Sequence, residues 1–472
     1  MLENGFELKA SPGVAQQLSD LERHPPLVAP GRDVRDLRRL LWSSIDNDTS
    51  RDLDQLEVVE RSPDGTMNIM VAIADVDAFV PKDSPIDRQA AGQTTTVYAG
   101  VRTFPMLPEQ LSTAATSLRE GADKLAVIIE FVVGTNGHVQ SSAVYRGVVR
   151  NSAQLSYNAV GAWLEDRSTA PPRVAASPEL QAQLRLQDAA ARTLRSERYR
   201  HGALNIETVE TRPVVVNDQV LSLETQEKNR ATELIEDFMI ASNEVVARLL
   251  DARKVSSIRR VVKTPKRWDR IVALAATLGG RLPAAPDSKA LNDFLVARKS
   301  ADPDHFPDLS LAVIKLMGPG EYVLERPGDP EQGHFGLAVA DYTHSTAPNR
   351  RFADLVTQRL AKAVLANQPP PYTDDELRVV AASCTSKADA ARKVERDVAK
   401  RIAAIAMSGR IGETFDAIVT GVTPHGTFVR AVRPHVEGLL AEGDLGADVG
   451  DKLRVRLIRT DVEHGFVDFA RA

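Results

Sequence analysis

Apolar residues recur at helical spacing in a few long stretches of this chain and crowd into short, strand-like runs elsewhere. Residues 12–22 carry an amphipathic helical pattern. Ser11-Pro12 supplies a cap and a first-turn proline, and Pro25-Pro26 stops it. Residues 33–42 read as a second, shorter amphipathic turn. From residue 56 to 131 strand patterns dominate, with 68–76 and 125–133 as buried strands. Residues 57–61 and 68–76 form a hairpin around Pro63-Asp64-Gly65. Long helices are expected over 180–198, 231–252, 350–366 and 375–407, while 312–322 and 334–341 are short and mixed. After residue 409 the texture changes. Alternating segments at 414–420, 427–432, 452–458 and 465–469 are separated by Gly and Pro turns, the pattern of a five-stranded barrel of the OB type.

The expected organisation is therefore a short N-terminal helical segment (1–35), an α+β domain (36–408) and a small all-β OB barrel (409–472). A chain of 472 residues has ample length for such a core. The net charge of −5 excludes a chain that is basic throughout, but a basic groove can sit inside an acidic protein. A lone Cys384 allows no internal disulfide. The first residues lack a cationic stretch followed by an apolar one, and no apolar run is long enough to span a bilayer, so neither a signal peptide nor a membrane association is expected. Together these favour a cytoplasmic protein. No internal repeat or low-complexity tract stands out, and nothing in the sequence calls for an obligate protein partner.

The chemistry concentrates at residues 45–55, where Asp46, Asp48, Asp52 and Asp54 follow an apolar run. Clustered carboxylates repel one another unless a cation or a basic partner neutralises them. Oxygen ligands with no His or Cys nearby suit Mg²⁺, Mn²⁺ or Ca²⁺ better than zinc. With Ser50 and Glu57 the spacing also fits the ligand positions of an EF-hand loop. Against that reading, Arg51 stands where such a loop needs Gly, and the exit looks like a strand where it needs a helix. A plain solvated acidic loop is the third reading.

Asp46-x₅-Asp52-x-Asp54 opening a β-rich segment resembles the signature of the ribonuclease II, or RNB, family of exoribonucleases. The resemblance continues at 98–108 with Leu111-Ser112, at Leu155-Ser156-Tyr157, at 200–204, and at 234–239 with Asn243. It runs on through His334-Phe335-Gly336-Leu337, Tyr342, Thr346-Ala347-Pro348, 350–354 and Glu395-Arg396-Asp397. These pieces are collinear. The tail, with Gly421-x₄-Gly426-x-Phe428-Val429 and 436–439, resembles the S1-type RNA-binding barrel that closes such enzymes.

The resemblance implies an RNB catalytic domain with a buried RNA channel and assigns roles residue by residue. Asp46, Asp52, Asp54 and the position of Gln55 would hold Mg²⁺, with Mn²⁺ as an alternative. Asp52, Asp54 and Arg350 would be catalytic, Arg350 clamping the scissile phosphate with two parallel hydrogen bonds. Asp354 is placed to hold Arg350. Tyr157 and Glu236 would contact ribose, a carboxylate that accepts from a 2′-OH favouring RNA over DNA. Tyr98 would flank the 3′-terminal bases, and Glu395 would lie near the leaving nucleotide. His334, Phe335 and Arg351 belong to the same RNA-binding set. In the barrel Phe415, His425 and Phe428 are stacking candidates. The basic face of the last helix, with Lys387, Arg392, Lys393, Arg396, Lys400 and Arg401, either lines an RNA path or is simply solvated.

The chain departs from the family pattern in places. Gln55 replaces the usual fourth Asp, so one metal should bind more weakly, unless the extra carboxylate of Asp48 compensates. Ile206 replaces a Phe that pairs with Tyr98. Ala347 and Asn349 replace Ser and Ile, which should only adjust loop packing. Members usually begin with two cold-shock-type domains, and the residues before Asp46 are too few for one. The function implied is Mg²⁺-dependent hydrolysis of single-stranded RNA from its 3′ end to nucleoside 5′-monophosphates. A catalytically weakened RNA-binding regulator is the alternative.

Overall fold

The structure is a computed structural model. It describes residues 1–7, 10, 12–216, 219–226, 228–303, 305–330 and 332–472. Seven strands build the main sheet: β1 (Val34–Asp36), β2 (Ser43–Asp46), β3 (Gln55–Arg61), β4 (Met67–Ala74), β5 (Asp123–Val133), β6 (Val139–Arg150) and β7 (Ala153–Ser156). Their order is β1-β6-β5-β4-β3-β2-β7. The outer pairs β1–β6 and β2–β7 are parallel and the inner ladders antiparallel. β4 is central and buried along almost its whole length, which is why it reads as a solid apolar run rather than an alternating one. The β3–β4 hairpin forms where the sequence places it, with Gly65 at φ 87° in its turn, a conformation open to glycine at little cost.

The principal helices are α1 (Pro12–Arg23), α2 (Tyr157–Leu164), α3 (Pro178–Arg200), α4 (Arg230–Ala252), α5 (Trp268–Thr277), α6 (Ser288–Ala301), α7 (Phe306–Met317), α8 (Phe352–Leu365) and α9 (Asp374–Ser408). Helix α1 lies where the pattern places it, but its Ser11 cap falls outside the described residues. Helix α3 packs on β3, and α4 packs on β2, β5 and α8. The entry of α4 is fixed by Asn229, whose side chain accepts from the N–H groups of Ala231 and Thr232 in a capping box. Among the described residues no helix is long and apolar enough to cross a membrane.

Residues 33–42 are not the amphipathic turn expected from sequence. Val34–Asp36 pair in parallel with Arg146–Val148, a partner too distant in the chain for local patterning to reveal. Arg38 then bonds Asp36 and Asp123, and buried Trp42 donates from Nε1 to the Leu37 carbonyl at 2.9 Å.

The closing barrel has five strands: β8 (Thr414–Thr423), β9 (Gly426–Ala431), β10 (Val436–Glu442), β11 (Lys452–Asp461) and β12 (Phe466–Arg471), closed in the order β8-β9-β10-β12-β11. Its core includes Ala404 and Met407 from the end of α9, so that helix is built into the barrel. Phe415 belongs to this core, edge-on to Phe469 at 6.3 Å, and is thereby removed from the stacking candidates. Phe428 is half-buried and His425 exposed.

Helices α3 and α4 are tied by charge. Asp237, 1% exposed, accepts from Arg195 at 2.7 Å and from Arg198, while Arg195 also pairs with Glu233. Burial raises the Asp237 carboxyl to about 6 against the pull of both guanidiniums. Asp237→Ala would strand the largely buried Arg198 and leave Arg195 with Glu233 alone. We expect a loss of about 3–5 kcal/mol in unfolding free energy, read by urea denaturation at neutral pH.

Candidate active site

The segment between β2 and β3 carries the acidic cluster. Ser117 holds it from both sides, its hydroxyl accepting from the Leu53 N–H at 3.0 Å and donating to the Arg51 carbonyl at 2.8 Å. The exit from the segment is strand β3, not a helix, so the EF-hand reading fails on the fold. Asp46 is half-buried at the end of β2. Its carboxylate accepts from the Asn47 N–H at 2.7 Å and the Ser50 hydroxyl at 2.9 Å. Asp52 is half-buried, and burial raises its carboxyl above the ordinary range. Asp48 is exposed. Gln55 is buried at the start of β3.

Asp54 is 2% exposed, and both of its oxygens are engaged by the loop before α8. Oδ1 accepts from the Asn349 N–H at 3.0 Å, and Oδ2 from Arg350 Nε at 3.3 Å. Burial pushes Asp54 up to about 7 despite Arg350. Arg350 keeps 42% of its side chain exposed. Its carbonyl accepts from the Thr96 N–H at 2.9 Å, which ties this loop to the strand leading to Tyr98. Asp354 does not hold Arg350. Lying in the first turn of α8, it accepts from Arg351 at 2.7 Å and from the Ala347 N–H at 2.8 Å. Asn349 does more than adjust packing. Besides its bond to Asp54, its side-chain oxygen accepts from the Thr116 hydroxyl at 2.6 Å.

Other residues singled out by sequence gather around this pair. Tyr98, 45% exposed, has its backbone N–H bonded to Glu395 at 2.9 Å, so those two meet. The Tyr98 hydroxyl is raised by burial, with Arg350 pulling it down and Asp52, Asp54 and Asp46 pushing it up. Tyr157, at the start of α2, is raised by burial and then by Asp46 and Glu57. Glu236 lies on α4 and pairs with Lys228 at 2.5 Å.

A second group lies along the chain from 334. His334 is held neutral, its pKa lowered to about 4 by burial and then by Arg260. Its Nδ1 accepts from the Leu337 N–H, and its ring meets Tyr342 edge-on at 5.5 Å. Phe335 and Ile206 pack instead against the apolar cluster of α5–α7, Phe335 edge-on to Trp268 at 6.2 Å. On α9, Lys387 bonds the Gly5 carbonyl and covers the Phe6 ring, while Arg392, Lys393, Arg396, Lys400 and Arg401 are exposed.

The donor chemistry fits a hard divalent cation. Asp46, Asp52, Asp54 and Gln55 offer oxygen only, and the nearby carboxyl of Glu57 is buried with neither oxygen bonded. These side chains do not converge on a point: among the described residues no group of three or more His, Cys, Asp or Glu stands ready as a cage. Asn349 is the residue whose part in the site the sequence hides, because it reaches Asp54 through a backbone N–H.

Comparison with known proteins adds an independent finding. Residues 34–367 match the RNB domain model, and residues 413–472 match the RNase II-type exonuclease C-terminal S1 domain model. The chain is 27% identical over 469 residues to ribonuclease R 1 of Lactococcus lactis subsp. lactis (strain IL1403), covering 92% of this chain and 56% of that protein. It is 28% identical over 503 residues to ribonuclease R of Escherichia coli (strain K12), covering 97% and 59%. The chain thus spans little more than half the length of these relatives. Among solved structures, the apo form of Mycoplasma genitalium RNase R superposes with a TM-score of 0.86 at 23% identity, covering all of this chain and 77% of that one.

Proposed function

The chain belongs to the RNB family, and on that premise we propose that it is a hydrolytic exoribonuclease. It shortens single-stranded RNA from the 3′ end and releases nucleoside 5′-monophosphates, using Mg²⁺ or, in its place, Mn²⁺. The observation that carries this reading is the pairing of Asp54 with Arg350 beside Asp46 and Asp52. Asp54 takes only the Nε of Arg350, which leaves the two terminal nitrogens for two oxygens of a phosphate. The exposed two-fifths of the Arg350 side chain is consistent with access to substrate. A divalent cation held by Asp46, Asp52, Asp54 and the Gln55 amide would activate a water and offset the charge growing on the phosphate.

The remaining assignments follow from position. Tyr98 and Glu395, joined by their hydrogen bond, flank the 3′-terminal nucleotides. Tyr157 contacts ribose on the side of Asp46. Glu236, whose Oε2 pairs with Lys228, does so through its other oxygen, which can accept from a 2′-OH. His334 and Arg351 border the RNA path, and Phe428 offers a half-buried ring on the barrel.

The regulator reading has one observation in its favour, the uncharged Gln55. Mass spectrometry of the products separates the two. Incubation of single-stranded RNA with the protein and Mg²⁺ is expected to yield nucleoside 5′-monophosphates, and EDTA to abolish them. Retention of intact RNA would favour the regulator. Products ending in 2′,3′-cyclic phosphate would show attack by the ribose hydroxyl and refute the metal-assisted hydrolysis.

A further inference from the structure

Arg260 lies in the short strand Ser257–Val261, which pairs antiparallel with Glu321–Glu325. Its neighbour Arg259 is buried and meets the carboxylate of Glu325 at 2.8 Å. Strand alternation turns Arg260 to the opposite face. There it is half-buried, no carboxylate pairs with it among the described residues, and its buried Nη1 has no hydrogen-bond partner. A guanidinium cannot shed its charge to escape this position. A partly desolvated cation with no counter-charge is costly, and an anion brought by a ligand is one of the few explanations for it.

The surroundings hold the guanidinium in place without neutralising it. Its central carbon lies 4.8 Å from the centroid of the Tyr322 ring. Gly320 lies against it, and a Cβ there would come within 2.9 Å of Nη2 and 3.1 Å of Nε. Gly320 has no positive φ, so the glycine supplies room rather than backbone freedom. The Arg260 N–H donates to the Tyr342 carbonyl at 2.8 Å, and the Thr343 hydroxyl to the Ile258 carbonyl at 2.6 Å, which lays this strand against residues 342–343. The Tyr322 hydroxyl meets His344 Nδ1 at 2.8 Å, and the Tyr342 ring is edge-on to His334 at 5.5 Å and to His344 at 5.7 Å. None of these rings carries negative charge. Burial keeps the hydroxyls of Tyr322 and Tyr342 protonated and both histidines neutral. The ionised side chains that act most on Arg260 are Arg392 and Arg351, both cations, and Arg351 adjoins the Arg350 that bonds Asp54.

We propose that Arg260, seated between Gly320 and the ring of Tyr322, binds a phosphate of the substrate other than the scissile one, carried by the RNA strand or by the released nucleotide. This rests on the exoribonuclease reading given above, in which RNA brings the anion that the protein withholds. A carboxylate built in beside Arg260, as Glu325 is beside Arg259, would compete with that phosphate.

The test joins melting of the full chain to equilibrium binding of single-stranded RNA in EDTA. Arg260→Met keeps an unbranched apolar stem and removes the charge. It should melt above wild type without RNA, and its RNA affinity should fall about tenfold or more. Gly320→Ala, which crowds the guanidinium while keeping its charge, should weaken RNA binding in the same direction. RNAs carrying one uncharged methylphosphonate linkage locate the phosphate. Wild type should lose affinity at one linkage, and Arg260→Met should bind that RNA as it binds the unmodified strand. If no linkage behaves so, but adenosine 5′-monophosphate competes with RNA less well for Arg260→Met than for wild type, the phosphate is that of the released nucleotide. If Arg260→Met folds and binds both RNA and the mononucleotide as wild type does, the proposal is overturned, and a lowered melting temperature would then mark Arg260 as a packing residue. Should Arg260→Met not fold, wild-type binding of both by Gly320→Ala overturns it. A wild type that binds no RNA overturns the exoribonuclease reading itself, a result distinct from failure at Arg260 alone.

Discussion

Asp54→Asn is expected to lower the rate of RNA hydrolysis by about 10³-fold or more while RNA affinity changes little. The substitution keeps size and removes charge. It also places an amide where both Asp54 oxygens now accept, from the Asn349 N–H and from Arg350 Nε. An NH₂ at either position faces a donor, so the Arg350 guanidinium loses its anchor as well as its counter-charge. The remaining RNA contacts are assigned to Tyr98, Tyr157, Glu395 and the barrel, which the substitution does not touch. Single-turnover decay of labelled RNA, beside equilibrium binding in EDTA, separates the two quantities. Turnover close to wild type would refute the assignment.

Arg350→Lys should cost about 10²–10³-fold in rate, nearly as much as Arg350→Ala. The conservative change keeps the positive charge but not the geometry. A guanidinium can bond Asp54 through Nε and still present two nitrogens to a phosphate, whereas an ammonium is a single point of charge. With the Asp54 carboxyl only 2% exposed, a lysine drawn toward it would have little left for substrate. If Arg350→Lys retains most of the activity, Arg350 acts through charge alone and the clamp is wrong.

The two residues behind these predictions are 296 positions apart, and that distance marks what the sequence could reveal. Asp46, Asp52 and Asp54 are visible because they fall within one short, chemically conspicuous segment. Arg350 was visible from its flanking residues. Their hydrogen bond was not, since Asp354, four residues on, was the better local guess. It bonds Arg351 instead because residues three apart face one another where α8 begins. Asn349 was read as packing because its role toward Asp54 is played by a backbone N–H that any residue but proline would supply.

The fold divides in the same way. Helices α3, α4 and α9 lie close to their sequence limits, since each carries a long amphipathic repeat and a capping residue at its entry. Strands β4 and β5 were legible as apolar runs, and the barrel as alternation between turns. Strand β1 was missed because its three residues gain a partner only when the distant β6 is in place. Helices α5–α7 carry no long amphipathic repeat to mark them, and there Ile206 and Phe335 pack with an apolar cluster that no local window contains.

The most direct test of the central claim follows 5′-labelled single-stranded RNA with Mg²⁺ over time, products resolved at single-nucleotide length. The account predicts a ladder that shortens progressively from the 3′ end, is abolished by EDTA and is slowed by a 3′-phosphate. RNA bound tightly but unshortened with both Mg²⁺ and Mn²⁺, or cut first at internal positions, would contradict it.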